Sequence, residues 1–214
     1  MHRKNSNHQS SPQLGDEKNS CFLTELAIGT SNKILVTTSR NPTPTIRAFC
    51  NDLRRVIPDA VRVNRGKMGL DEVAEKALEQ EANRVIIVER WHGGLGKIRF
   101  FKIGESGLFS IPPIINIASI RLQREFCVSE IKQAIFLVLS TPNASKELSM
   151  VAEAFSNFFT IPILSTDAAA KTNATLMRVG FAKGNRIETT FMVEPKHVEV
   201  GPRIVVSNME LIDR

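Results

Sequence analysis

Displacing the sequence by 102 residues lays Phe136-Leu137-Val138-Leu139-Ser140-Thr141 over Ile34-Leu35-Val36-Thr37-Thr38-Ser39 without a gap. Each hexapeptide is short and mainly apolar, the pattern of a strand buried on both faces. The segment behind each strand keeps the same offset: Ile46, Phe49, Cys50, Leu53, Val56 and Ile57 recur as Leu148, Val151, Ala152, Phe155, Phe158 and Phe159. Spacings of three and four put each set on one face of a helix. Two amphipathic helices can always be slid into phase, so the helix match alone constrains little. A whole strand–turn–helix block recurring in register constrains the fold strongly. It predicts an α/β protein of two duplicated halves, over 34–125 and 126–214, in one compact body. Regular elements of the second half are expected over about 134–211. Residues 1–33, rich in Ser, Asn, Gln and His, are expected to form a flexible polar tail.

Local signals supply the remaining elements. The first strand runs into the turn-forming Arg40-Asn41-Pro42, and the helix behind it has Thr43 as N-cap and Pro44 at its first position. Arg47, Arg54 and Arg55 lie off its apolar stripe. A short strand over 61–63 leads through the basic turn Asn64-Arg65-Gly66-Lys67 to a second helix, with Leu70, Val73, Ala74, Ala77 and Leu78 expected to face inward. Strands are predicted over 84–89, 96–103 and 110–122, the last interrupted by Pro112-Pro113, which implies an edge position or a bulge. The second copy predicts a strand over 161–164, a shortened helix over 166–175, a hairpin of 176–182 with 187–193 about Lys183-Gly184-Asn185, and a closing strand over 199–211.

A chain of 214 residues with 42% hydrophobic content can bury a substantial core. No run approaches the roughly 18 apolar residues of a membrane span, and the polar N-terminus lacks the apolar stretch of a signal peptide. Cys21, Cys50 and Cys127 are odd in number and far apart, which suits reduced thiols and a cytoplasmic location better than a disulfide framework. The net charge of +6 makes a polyanion a natural partner. That charge is local: residues 34–70 hold seven Lys/Arg against two Asp/Glu, whereas the next twenty residues carry an acidic excess.

Gly93-Gly94-Leu95-Gly96-Lys97 has the look of a phosphate-binding loop, but Trp91 stands where its first glycine belongs and Ile98 where a magnesium-binding Ser or Thr belongs. The residues that follow alternate as a strand, so no helix N-terminus is available for phosphate. A glycine-rich hairpin turn is the reading taken, with His92 as a turn residue beside it. No nucleophile–His–acid set, metal-ligand spacing or cofactor motif is present, so no enzyme activity is expected. The basic positions carry more. Arg40 follows the first strand, Arg65 and Lys67 the second and Arg90 the third, which places them at one sheet edge if those strands are parallel. Several cations on one edge can neutralise several phosphates. Phe100 and Phe101 are adjacent in a strand, so one is expected inward and the other outward, where it could stack on a base or pack against the other half.

The stretch Ile34-Leu35-Val36-Thr37-Thr38-Ser39-Arg40 resembles the opening signature of the Brix family: an apolar strand, Thr-Thr-Ser-Arg, then Pro before a helix. Asn64-Arg65-Gly66 resembles that family's basic-Gly turn, and Val198-Glu199-Val200-Gly201-Pro202-Arg203 its C-terminal Gly-Pro-Arg motif. The resemblance covers about 34–211. It implies a ribosome biogenesis factor that binds precursor rRNA beside other ribosome assembly proteins, nucleolar if the source is eukaryotic. It also implies halves that each resemble the anticodon-binding domain of class IIa aminoacyl-tRNA synthetases. The chain is similar to the branch that includes the eukaryotic pre-rRNA-processing small nucleolar ribonucleoprotein component, in a near-bare form like the archaeal one. Where that branch has Gly-Pro-Thr after a hairpin, this chain has Gly104-Glu105-Ser106-Gly107. The expected RNA-binding set is Ser39, Arg40, Arg65, Gly66, Lys67, Arg90, Lys97 and Arg203, the last serving the fold, with Gly201, more than the ligand. The alternative is a protein–protein scaffold using outward apolar residues of 100–103 and 111–120.

Overall fold

A computed structural model of the chain describes residues 32–91, 94–126, 134, 136–142 and 145–210, without the side chains of 91, 94 and 95. Residues 1–31 of the expected tail, with Cys21, and also His92, Gly93 and Cys127 lie outside the described residues, whereas Lys33 is tied to the fold by an ion pair with Glu81. The described strands are β1 (Ile34–Thr38), β2 (Ala60–Arg62), β3 (Arg84–Trp91), β4 (Gly94–Gly104), β5 (Gly107–Arg121), β6 (Leu137–Ser140), β7 (Thr175–Phe181), β8 (Ile187–Val193), β9 (Val198–Glu199) and β10 (Arg203–Glu210). They form one curled sheet in the order β2-β1-β3-β4-β5-β10-β8-β7-β6, with β9 beside β8. β2, β1 and β3 are parallel, as are β6 and β7, while the pairs between β3 and β7 are antiparallel. The antiparallel pair β5–β10 is the seam between the N-terminal and C-terminal strands.

Helices α1 (Pro44–Val56) and α3 (Lys146–Phe159) cover one face of the sheet, and α2 (Leu70–Glu79) and α4 (Thr166–Ala170) the other. The Thr43 hydroxyl accepts from the Ile46 N–H at 3.3 Å, and the Ser145 hydroxyl from the Leu148 N–H at 3.2 Å. These caps satisfy backbone donors that each helix start leaves open. All twelve residues of the two apolar stripes are buried, and they share one core with Ile34, Val36, Ile86, Val88, Ile98 and Phe100 of the sheet. Alternate positions Leu35, Val85, Ile87 and Phe101 pack instead with Val73 and Ala77 under α2. On the same side, Val138 and Leu176 pack with Ala169 of α4.

Several expectations change. Phe100 and Phe101 are both buried, because helices cover both faces of the sheet, so neither is presented for stacking. Leu70 and Leu78 are 42% and 61% exposed. The small residues Val73, Ala74 and Ala77 bring α2 close to the sheet and leave the large leucines at its periphery. β5 is an inner strand from Ile114 to Arg121, between β4 and β10, while its earlier part has β4 as its one neighbour among the described residues. Its register against β4 jumps from Ile98 opposite Ile115 to Phe100 opposite Ile111, so the two prolines sit in a bulge where no ladder donor is needed. The strand expected over 161–164 reduces to one bridge between Ile163 and Leu139. The closing strand is split into β9 and β10.

A buried polar junction ties α1 to the end of the N-terminal strands. The Asp52 carboxylate accepts from the Gln123 N–H at 2.9 Å, and Arg55 donates to the Gln123 side-chain oxygen at 2.8 Å. Burial raises Asp52 above the usual carboxylate range, against the opposing pull of the Gln123 N–H and of Arg55 at 3.7 Å. The folded protein therefore holds a proton on Asp52 over a window above the ordinary aspartate value, where the unfolded chain releases it. This contribution to stability is complete below the unfolded value and is lost as pH rises through the folded one. Asp52→Asn keeps an acceptor for the Gln123 N–H and removes that loss. Its urea midpoint, measured against wild type from pH 4 to 7, is expected to move in the variant's favour as pH rises.

Candidate nucleic-acid interface

Because β1, β2 and β3 are parallel, the segments that follow them leave the sheet at one end, and Ser39, Arg40, Arg65, Gly66, Lys67 and Arg90 gather there. Ser39 belongs to the scaffold of this end. Its N–H donates to the Val88 carbonyl at 2.8 Å and its hydroxyl accepts from the Arg90 N–H at 3.2 Å, which fixes the exit of β1 against that of β3. The turn after β2 is held by Arg65, whose Nε donates to the Met68 carbonyl at 3.0 Å. Gly66 adopts φ +56°, a left-handed conformation that costs other residues about 1–2 kcal/mol.

The cations at this end interact. Burial is the main cause that lowers the basicity of Arg65, and the positive charge of Arg40 lowers it further, with Glu89 opposing. Arg40 reaches over the start of α2: its Nη2 stands 3.9 Å from where a Cβ on Gly69 would lie. There the Glu72 carboxylate accepts from the Gly69 N–H at 2.6 Å. Arg40, Lys67 and Arg90 are exposed. Of the nearby carboxylates, Glu89 also faces Arg99 at 3.5 Å and stands opposite Lys97 across the β3–β4 ladder. An incoming anion would relieve the repulsion between Arg40 and Arg65, the electrostatic setting in which phosphate oxygens bind well.

Arg203 is placed apart from this group. It begins β10 opposite Arg121 of β5, and its guanidinium is closed in a two-pronged pair with Glu199, with Glu188 3.8 Å away. The Glu199 hydrogen bond, opposed by burial, raises its already high basicity. Gly201 has φ +66°, and a Cβ there would meet the Phe126 ring at 2.6 Å, so the Gly-Pro-Arg segment is built into the packing. Gly94 to Lys97 lie in β4, hydrogen-bonded to β3, and no helix follows them. Sequence reading missed Gly69 and Glu72 beside Arg40, although a Gly and a Glu three apart at a helix start carry the spacing of a capping box. Among the described residues no cluster of His, Cys, Asp and Glu could hold a metal ion, and no helix is long and apolar enough to cross a membrane.

No family model matches the chain. It is 30% identical over 129 residues to a probable Brix domain-containing ribosomal biogenesis protein of Pyrococcus horikoshii, covering 59% of this chain and 56% of that protein. Over 68 residues it is 40% identical to a protein of the same description from Aeropyrum pernix, covering 32% and 38%. The crystal structure of a probable ribosomal biogenesis protein from Aeropyrum pernix superposes with a TM-score of 0.70 at 25% identity, over 84% of this chain and 99% of that one. Its curated homologues are Brix-domain ribosomal biogenesis proteins. An archaeal Imp4-like protein shares the fold, with a TM-score of 0.57 at 20% identity over 82% of this chain and 98% of that one. The matched stretches span about half or less of the two curated Brix-domain relatives, at 56% and 38%. The mixed α/β architecture with a curled sheet and few helices is that of the Brix and Imp4-like structures.

Proposed function

We propose that this chain is a non-catalytic ribosome biogenesis factor that binds precursor rRNA at the end of the sheet formed by β1, β2 and β3. The observation that carries the reading is the convergence of Arg40, Arg65, Lys67 and Arg90 there, with the charge of Arg40 close enough to lower the basicity of Arg65. The names of the relatives and the local excess of positive charge over 34–70 support it. The equal offset of cap and helix stripe supports a duplicated origin of the two halves, each similar to the synthetase anticodon-binding domain, although the strands are displaced by one residue more, with Ile34 and Val36 facing the core as Leu137 and Leu139 do. A cytoplasmic location, nucleolar in a eukaryote, follows from the role.

Binding to a labelled precursor rRNA fragment is the test. Affinity is expected to fall linearly with salt on logarithmic axes, by about 0.7–0.9 log units per phosphate contact for each tenfold rise in salt. Affinity that holds steady between 50 and 300 mM salt would overturn the proposal. Arg203→Ala is expected to lower the urea midpoint, through loss of the Glu199 pair, and to leave the salt slope unchanged.

A second reading, a platform for partner proteins, is favoured by a different surface. Met150 of α3 and Phe109 of β5 are 45% and 50% exposed at the far end of the sheet from the basic group.

A further inference from the structure

A groove of about 360 Å³ opens between α3 and the β4–β5 hairpin, lined by the apolar Ile111, Pro112, Met150, Ala154 and Phe158 with the charged Lys102 and Glu153. Directly across the β3–β4 ladder from Lys102 stands Arg84, on the same face of the sheet, so the two side chains are neighbours. The Arg84 guanidinium lies 5.8 Å from the centre of the Phe158 ring. Its Nη1 is buried and has no hydrogen-bond partner among the described residues. Burial also lowers its basicity from the ordinary arginine value. Arg84 is not itself part of the groove lining, so it acts there through its charge, past Lys102 and the Phe158 ring.

We propose that this groove receives a partner protein's segment in which a carboxylate, paired with Lys102 and drawn by the charge of Arg84 beside it, is flanked by apolar side chains that fill the walls. A guanidinium beside an ammonium group matches a carboxylate, and the apolar lining matches aliphatic or aromatic neighbours. The same lining disfavours a nucleic-acid backbone, whose phosphates repeat without apolar groups between them. This inference rests on the platform reading and is independent of RNA binding at the other end of the sheet.

The probe is a phage-displayed library of random peptides, selected on the full chain, with enriched sequences then synthesised and measured by fluorescence anisotropy. Enriched peptides are expected to share an Asp or Glu next to two or more apolar residues. Met150→Glu, at an exposed position, and Arg84→Met, which keeps a long apolar stem over Phe158, are each expected to weaken binding at least tenfold. The triple replacement of Arg40, Arg65 and Lys67 by Ala should leave peptide affinity intact, so failure of the RNA reading and failure of this one are distinguishable. The proposal is overturned if no peptide is enriched, if enriched peptides lack a carboxylate, or if Met150→Glu binds them as wild type does. Displacement of the peptide by an oligouridine at equal concentration would make the groove a nucleic-acid site and overturn it equally.

Discussion

Replacing Arg40, Arg65 and Lys67 together with alanine is expected to weaken binding to precursor rRNA on the order of tenfold to hundredfold at physiological salt. The slope of affinity against salt should flatten by about 2–3 units, since each lost phosphate contact removes nearly one. All three side chains leave the sheet at the end shared by β1, β2 and β3, so their contributions fall on one stretch of backbone. Arg40 and Lys67 are exposed and Arg65 makes one backbone hydrogen bond, so the urea midpoint should move little. Unchanged affinity and slope in the folded variant would remove this end of the sheet from consideration.

Phe100→Ala acts on the other side of the argument, stability, and should cost about 3–5 kcal/mol. Its ring stands edge-on to Phe158 at 4.7 Å, Phe155 at 6.1 Å and Phe159 at 6.3 Å. A strand of the N-terminal half is thereby locked to a helix of the C-terminal half. Beyond lost burial, such edge-to-face pairs contribute about 0.5–1.5 kcal/mol. Against a usual total of about 5–15 kcal/mol this is a large fraction, read directly as a fall in urea midpoint at constant slope. A single unfolding transition should persist. Two transitions would mean that the halves unfold separately and that the shared core does not bind them.

Much of the fold was legible because periodic burial writes itself into sequence. The stripes of α1 and α3 could be read residue by residue since each faces one extended core. Leu70 and Leu78 were misread because periodicity reports a face and not how closely that face is applied; Val73, Ala74 and Ala77 set the approach and exclude the larger side chains. The fate of Phe101 depended on α2 covering the second face of β4, a tertiary fact with no local signature. Pro112 and Pro113 announced an interrupted ladder correctly, but edge and bulge leave the same mark on a sequence. At the candidate site, the meeting of Arg40 with Arg65 followed from assuming parallel strands, whereas the engagement of Arg203 by Glu199 is a side-chain choice that spacing does not encode.

The seam has a consequence for how the protein is made. β5 finds its second neighbour, after β4, only in β10, more than eighty residues further along the chain. On a translating ribosome β1 to β5 emerge first, so β5 must wait with one edge bare and Phe100 uncovered by α3. An unpaired inner strand is a template for wrong pairing between nascent chains. A factor of this architecture thus spends part of its own synthesis in need of shielding by something other than itself.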